Sequence, residues 1–163
     1  MKKLNLCSPF RAGFIFGLIL VFGGGDLTAS SKVKVDSFEK VIVVPFHVMF
    51  SHSPSPEKIE KMGVVVEVAS EERERLLTLY NESDFQSVSN ASMDGRLVII
   101  GVKNKSKILI MMDRPLDRVS VGGRIFKLKR HAFSDAIKNI LELQKDAIEA
   151  AFQKKAYPTP KEE

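Results

Sequence analysis

The chain has 163 residues, 44% of them hydrophobic, and a formal charge of +5 at pH 7. Its single cysteine excludes a disulfide-stabilised scaffold, so stability must come from a buried core, for which a chain of this length is sufficient. One domain is the simplest count, and the sequence contains no internal repeat and no low-complexity tract that would indicate another class.

The first thirty residues have the layout of a secretory signal peptide. Basic residues up to Arg11 precede an apolar run over residues 12–22, and three glycines then lead to the small residue Ala29. We therefore expect cleavage after Ala29 and a periplasmic or secreted protein. The apolar run is shorter than the about 17 to 25 residues of a membrane span. Cys7 lies ahead of this run, which excludes the lipoprotein arrangement.

Cleavage of residues 1–29 would leave 134 residues without cysteine. The formal charge would fall from +5 to +3, because three basic residues and one acidic residue leave with the leader. We divide the remainder into a lead-in segment over residues 30–39, a single domain over residues 40–155 and a polar tail over residues 156–163. The prolines of the tail prevent continuation of a helix.

Residues 40–50 form an apolar, largely β-branched run that predicts a strand at the centre of the core. Proline cannot donate to a sheet ladder, so Pro45 belongs to an edge, a bulge or a break between two short strands. Ser55 and Pro56 are the residue types of a helix N-cap and a first helical position. They predict a short helix that ends at Gly63.

The middle of the chain alternates helix and strand signals before a hairpin. We predict a strand over residues 64–68, a second helix that Ser70 caps, and a Ser- and Asn-rich loop over residues 81–93. Two apolar strands follow over residues 96–102 and 107–112. The polar residues between them predict a hairpin with a four-residue loop.

The last third predicts a second hairpin and a long helix. The Gly122-Gly123 pair accepts the positive φ angles of a tight turn, and strands over residues 119–121 and 124–130 flank it. Apolar and basic residues alternate in the second of these strands, which predicts one buried and one solvated face. Ser134 is the expected cap of one long amphipathic helix that extends to about Lys155.

The order of these elements predicts an α+β fold. Two strands separated by helices come first, and two hairpins and a final helix follow, whereas a parallel sheet would need repeated βαβ units. We therefore expect a mixed, mainly antiparallel sheet with a long C-terminal helix and two shorter helices packed on it.

Three histidines and a serine–lysine pair are the candidate chemical groups. His47 and His52 lie five residues apart and His131 is distant from both, with no HExxH or paired-cysteine spacing to assemble a metal or catalytic site. Ser55 and Lys58 match the Ser-x-x-Lys pattern of penicillin-recognising enzymes, but capping already explains the serine and the companion motifs are absent. We predict no catalytic residue, no metal ligand and no cofactor, and we favour a protein that is not an enzyme.

Seven basic residues of the two hairpins form the candidate binding surface for a polyanion or a partner. On a shared face they would attract an anionic polymer or an acidic protein; alternatively, the lysines guard strands against edge-to-edge pairing. Nucleic acid is disfavoured because the charge of the exported chain is small and aromatic residues are not interleaved with the basic ones. The seven residues are Lys103, Lys105, Lys107, Arg124, Lys127, Lys129 and Arg130.

The sequence thus predicts a small exported envelope protein that acts without catalysis, as a binding, inhibitor or immunity-type, or assembly accessory protein. Its expected partner is another envelope protein or an anionic envelope polymer, with no stable membrane span after cleavage. The alternative is a small envelope hydrolase with a histidine-centred site. A pocket of the folded domain that holds His47, His52 or His131 within hydrogen-bond reach of a serine or a carboxylate would refute the binding hypothesis in favour of that alternative. The sequence indicates no oligomeric state.

Overall fold

The computed structural model describes residues 33–89 and 91–156. The leader, its cleavage site and the first part of the lead-in segment lie outside these residues, as does nearly all of the predicted polar tail. The expectations for those segments therefore stay predictions.

Four helices and seven strands occur in the described residues, which confirms the α+β class. The helices are α1 (Pro56–Met62), α2 (Ser70–Glu82), α3 (Ala132–Leu143) and α4 (Lys145–Ala156). The strands are β1 (Ser37–Val43), β2 (Val64–Val66), β3 (Phe85–Val88), β4 (Gly95–Lys103), β5 (Ser106–Asp113), β6 (Arg118–Val121) and β7 (Arg124–Leu128).

The strands form one sheet in the order β2-β1-β4-β5-β6-β7-β3. Every neighbouring pair in this described sheet is antiparallel, so the parallel component of the expected mixed sheet is not found there. Because neighbouring strands alternate in direction, the β4–β5 and β6–β7 turns lie at the same end of the sheet. The last residues of β1, β5 and β7 lie at the opposite end.

Helices pack on both faces of the sheet. On one face α2 and α3 bring Tyr80 and Phe133 against Phe38, with the ring centroid of Tyr80 5.6 Å from that of Phe38 and 5.4 Å from that of Phe133. On the other face Ile59 of α1 and Phe152 of α4 join the apolar residues of β1 and β4. The core is therefore split by the sheet into two layers.

Several local predictions are confirmed. Ser55 caps α1, because its Oγ accepts a hydrogen bond from the backbone N–H of Lys58 at 3.3 Å, and Pro56 is the first helical residue. The backbone N–H of Gly63 donates to the carbonyl of Ile59 at 2.7 Å and ends the helix. Strand β7 also has the predicted alternation, with its apolar residues 126 and 128 buried and residue 127 exposed.

Both hairpins close through two residues in the left-handed region. Asn104 and Lys105 have φ angles of 50° and 63°, and Gly122 and Gly123 have φ angles of 58° and 77°. The glycine turn was predicted, whereas the four-residue loop expected for the first hairpin was wrong, since Lys103 and Ser106 already pair in the ladder. Asparagine tolerates the left-handed region, but a lysine at the second turn position is not a residue type from which a tight turn is predicted.

The boundaries of other elements differ from the predictions. β1 ends at Val43, before Pro45, so the proline marks a break in the strand. Residues 85–88 form the edge strand β3 where a loop was expected. The predicted long helix is two helices, α3 and α4, that meet at Gln144. Ser134 is not a cap but a buried residue of α3 that donates to the carbonyl of His131 at 2.9 Å.

Candidate functional site

A groove of about 640 Å³ lies between α3, α4 and the segment that follows β1. Its walls combine a largely apolar surface with charged residues. The lining residues are Val43, Pro45, Phe46, His47, Leu116, Lys138, Asn139, Leu141, Glu142, Lys145 and Ile148. An open, largely apolar concavity with a few polar groups at its margin is the usual form of a binding site.

The groove exists because β1 stops early. The backbone N–H of Val44 makes a last bond to the carbonyl of Arg96 at 2.8 Å, and Pro45 then turns the chain away from the sheet. The turned segment folds on itself, since the N–H of Val48 donates to the carbonyl of Pro45 at 3.1 Å. Across the groove, Leu116 adopts a φ of 60° in the β5–β6 connection and is almost fully buried.

Charged side chains of both signs surround the apolar part of the groove. Nε2 of His47 lies 3.5 Å from Oε1 of Glu149, which joins the post-β1 segment to α4. Nζ of Lys138 lies 3.5 Å from Oδ1 of Asp135. Lys145 has no ion pair within the described residues, so its ammonium group is available to a carboxylate of a bound molecule.

A second, more polar pocket of about 350 Å³ lies on the other side of the same segment. Residues 49–53 form one wall, and residues from the β4 and β5 ends form the other. The lining residues are Met49, Phe50, Ser51, His52, Ser53, Ser92, Met93, Asp94, Arg96 and Arg114.

Arg96 lines the second pocket and contacts the segment that lies between this pocket and the groove. Its side chain is only 4% exposed. One terminal nitrogen donates to the carbonyl of Val48, and the other donates to Oδ2 of Asp94 at 2.9 Å. The guanidinium carbon lies 4.8 Å from the ring centroid of Phe50. Nε of Arg96 is buried and has no hydrogen-bond partner among the residues described. The side chain of Arg96 thus contacts the segment between the groove and the second pocket at Val48 and at Phe50.

The seven basic residues of the predicted binding surface do not lie together at one place. Lys103, Lys105 and Arg124 lie at the end of the sheet where both hairpins turn. Two of the remaining residues, Lys107 and Lys127, lie within β5 and β7.

The last two, Lys129 and Arg130, follow the end of β7 at the opposite end of the sheet, beside the start of β3. Two of the seven are also engaged with carboxylates. Nζ of Lys107 donates to both carboxylate oxygens of Glu60, at 2.6 and 2.8 Å, and Nε of Arg130 lies 3.7 Å from Oδ2 of Asp84. The antiparallel topology therefore divides the set into separate groups.

The three histidines occupy different parts of the fold. His47 lines the groove, and His52 lines the second pocket, where its Nδ1 lies 3.2 Å from Oγ of Ser51. His131 precedes α3. His52 in the second pocket thus lies within hydrogen-bond reach of a serine, which meets by distance the condition set against the binding hypothesis, although the two residues are exposed neighbours in sequence.

A buried ion pair joins the end of β5 to β6. Asp113 is fully buried, and its carboxylate accepts hydrogen bonds from the backbone N–H and from Nε of Arg118, at 3.2 and 2.7 Å. Burial raises the pKa of Asp113, and the hydrogen bonds from Arg118 oppose the rise. The pair positions the connection that carries Leu116 into the groove, so its role is structural.

Comparisons of the chain with protein-family models, with curated proteins and with solved structures found no match. Function must therefore be argued from the geometry of the site. In residues 33–89 and 91–156, no helix is both long and apolar enough to cross a membrane. The same residues contain no group of three His, Cys, Asp or Glu side chains placed to hold a metal ion.

Sequence reasoning missed both pockets. The groove combines residues that are about 100 positions apart, such as Phe46 and Ile148, and no local pattern reports that contact. Arg96 was predicted only as the first residue of a strand, and no pattern in the sequence indicated that it is buried. The one available signal was Pro45, whose break in an apolar strand marks the place where the chain leaves the sheet.

Proposed function

We propose that this chain is an exported, non-catalytic binding protein of the cell envelope, which holds an extended segment of a partner protein in the groove between α3, α4 and the post-β1 segment. The observation that carries the proposal is the groove itself, which is apolar inside and charged at its margin. The bound segment would supply one or two large apolar side chains and a nearby carboxylate.

Three features of the groove support a protein partner over an anionic polymer. The half-buried side chains of Phe46 and Leu141 line the groove and would gain free energy from apolar contact. The volume of about 640 Å³ fits a few side chains of an extended peptide. The unpaired Lys145 at the margin is complementary to a carboxylate. A cell-wall polymer lacks the apolar groups that would make favourable contacts with such an interior.

Export is supported by the leader alone. The basic, apolar and small-residue regions of residues 1–29 are those of a signal peptide. Amino-terminal sequencing of the protein from fractionated cells tests this part, and we expect a chain that begins at Ser30 in the envelope or secreted fraction. A chain recovered from the cytosol that still begins at Met1 would contradict it.

The binding experiment compares two leucines of α3. Leu141 lines the groove, whereas Leu143 is 86% exposed and does not line it. We expect the tagged wild-type protein and the Leu143→Lys variant to capture the same envelope partner. The Leu141→Lys variant should bind it about tenfold more weakly or weaker still, because one buried apolar side chain contributes about 1.5–3 kcal/mol.

The affinity is measured by titration with the purified partner, after the melting temperatures have established that both variants are folded. Equal loss of binding in the two variants, or no loss in either, would refute the groove as the site. Capture is repeated in high salt, because a contact made by the seven basic hairpin residues would be lost there and an apolar contact would persist. A partner that is lost in high salt would indicate that the seven basic residues, and not the groove, form the binding site.

A small envelope hydrolase is the second candidate, and the contact between His52 and Ser51 is the observation that favours it. A general base must lie within hydrogen-bond reach of the group that it deprotonates, and 3.2 Å satisfies that distance. The two side chains are exposed neighbours, and the carboxylate of Asp94 in the same pocket already accepts from Arg96. Replacing each of the three histidines by alanine, with unchanged turnover of cell-wall, ester and peptide substrates, would remove this candidate.

A further inference from the structure

We infer that the second pocket, between residues 49–53 and Arg96, binds a small phosphate- or carboxylate-class anion. This site is separate from the groove, so it goes beyond the proposed binding of a protein segment. Its basis is a pocket lined by two arginines, of which Arg114 has no ion pair among the described residues, and by further hydrogen-bond donors.

Arg96 is the centre of the site. A buried charged group with an unpaired donor is costly, and native structures satisfy nearly all such groups. Two of its nitrogens are paired within the protein, by the carbonyl of Val48 and by Asp94, and Nε is not. The carboxylate of Asp94 neutralises one positive charge, which leaves the charge of Arg114 uncompensated in this pocket.

Arg114 supplies the accessible positive charge. Its side chain is exposed, lines the pocket and has no ion pair in the part of the chain that the structure describes. Its backbone N–H donates to the carbonyl of Asp94 at 2.9 Å, which anchors the residue beside Arg96. Arginine is the side chain best suited to carboxylate and phosphate groups, because its planar fork of donors matches their oxygens.

Hydroxyl groups complete the set of donors. Ser51, Ser53 and Ser92 all line the pocket, and the imidazole of His52 lies among them. Each can donate to an anionic oxygen. The volume of about 350 Å³ admits a phosphate or carboxylate group with part of the molecule that carries it, but not a protein segment. The ligand is thus a compact anion, either free or at the end of a lipid head group.

The test is a titration of the purified protein with inorganic phosphate and, separately, with acetate, followed by the arginine Nε–Hε signals in NMR spectra. We expect saturable shifts of the Arg96 and Arg114 signals in the millimolar range with at least one of the two anions. The Arg114→Gln variant should bind about tenfold more weakly, since one charge-assisted hydrogen bond is lost. Arg75→Gln removes an exposed arginine of α2 outside the pocket and serves as the matched control.

Sedimentation with vesicles of phosphatidylglycerol distinguishes the sources of the anion. Binding to vesicles that the Arg114→Gln variant loses and the Arg75→Gln variant keeps would assign a lipid head group. Saturable binding of free anions without vesicle binding would assign a free ligand. Shifts that do not saturate, or that are equal at Arg96 and Arg75, would overturn the inference, because they would report only general screening of the positive charge.

Discussion

Replacing Arg96 by methionine is predicted to destabilise the protein by about 3 kcal/mol. Methionine keeps most of the apolar stem and volume of the arginine but removes its polar contacts. The change leaves the carbonyl of Val48 and the carboxylate of Asp94 without their donor, and it removes the stacking on Phe50. The prediction therefore isolates what the guanidinium group contributes to holding the post-β1 segment.

The magnitude follows from these contacts. Each hydrogen bond from a charged group contributes about 1.5–3 kcal/mol, and a guanidinium over an aromatic ring contributes about 0.5–2 kcal/mol. Removing the buried, unpaired Nε recovers its desolvation cost of about 1–3 kcal/mol, which offsets part of these losses. The two hydrogen bonds and the ring contact together contribute about 3.5–8 kcal/mol, so the balance after this offset is about 2.5–5 kcal/mol. For a domain of this size that lowers the melting temperature by about 10 °C or more.

Urea unfolding followed by circular dichroism measures this change. Arg114→Met is the matched control, because Arg114 is exposed and has no ion pair among the described residues, and we expect its free energy of unfolding to stay within about 0.5 kcal/mol of the wild type. If Arg96→Met were no more destabilising than Arg114→Met, the buried arginine would not hold the segment. The reasoning that links the groove to the second pocket would then fail.

Three further predictions concern the core. Tyr80→Phe should lower the free energy of unfolding by about 1 kcal/mol in urea unfolding, because the buried hydroxyl donates to the carbonyl of Val33 at 3.1 Å. Burial raises the pKa of Asp113, so the native state binds its proton more tightly than the unfolded chain, and the contribution of this group to stability falls as pH rises above about 3.9. Asp113→Asn should therefore gain stability relative to the wild type between pH 3.5 and 7, and a constant difference would contradict this. Gly63→Ala should cost about 1–3 kcal/mol in melting experiments, since its Cβ would lie 2.7 Å from the carbonyl oxygen of Ile59, and an unchanged melting temperature would refute that clash.

Local signals predicted the start and end of α1 and the second hairpin correctly. Ser55 and Pro56 act within one helical turn, and the Gly122-Gly123 pair acts within one hairpin, so their neighbours along the chain already decide the outcome. The alternation in β7 was equally reliable, because a strand with one buried face must place its apolar residues on that face.

Elements that depend on distant partners were missed. Residues 85–88 have a weak strand pattern and form β3 because β7 offers a free edge, where Phe85 pairs with Leu128 and packs 6.2 Å from Phe126 between ring centroids. No glycine or proline interrupts residues 132–155, so the periodicity predicted one helix. The break at Gln144 accompanies a 2.6 Å hydrogen bond from its side chain to the carbonyl of Glu67, 77 residues away.

The sequence by itself determined an α+β domain with caps and turns whose physics acts over a few residues, and it predicted export from a leader that is recognised as a linear segment. Only the tertiary structure decided which side chains share a pocket or a surface. It grouped Phe46 with Ile148, buried Arg96 and divided the basic hairpin residues among separate places. Contacts of this kind form between segments that are far apart in sequence, and packing decides them together, so no single stretch of sequence reports them.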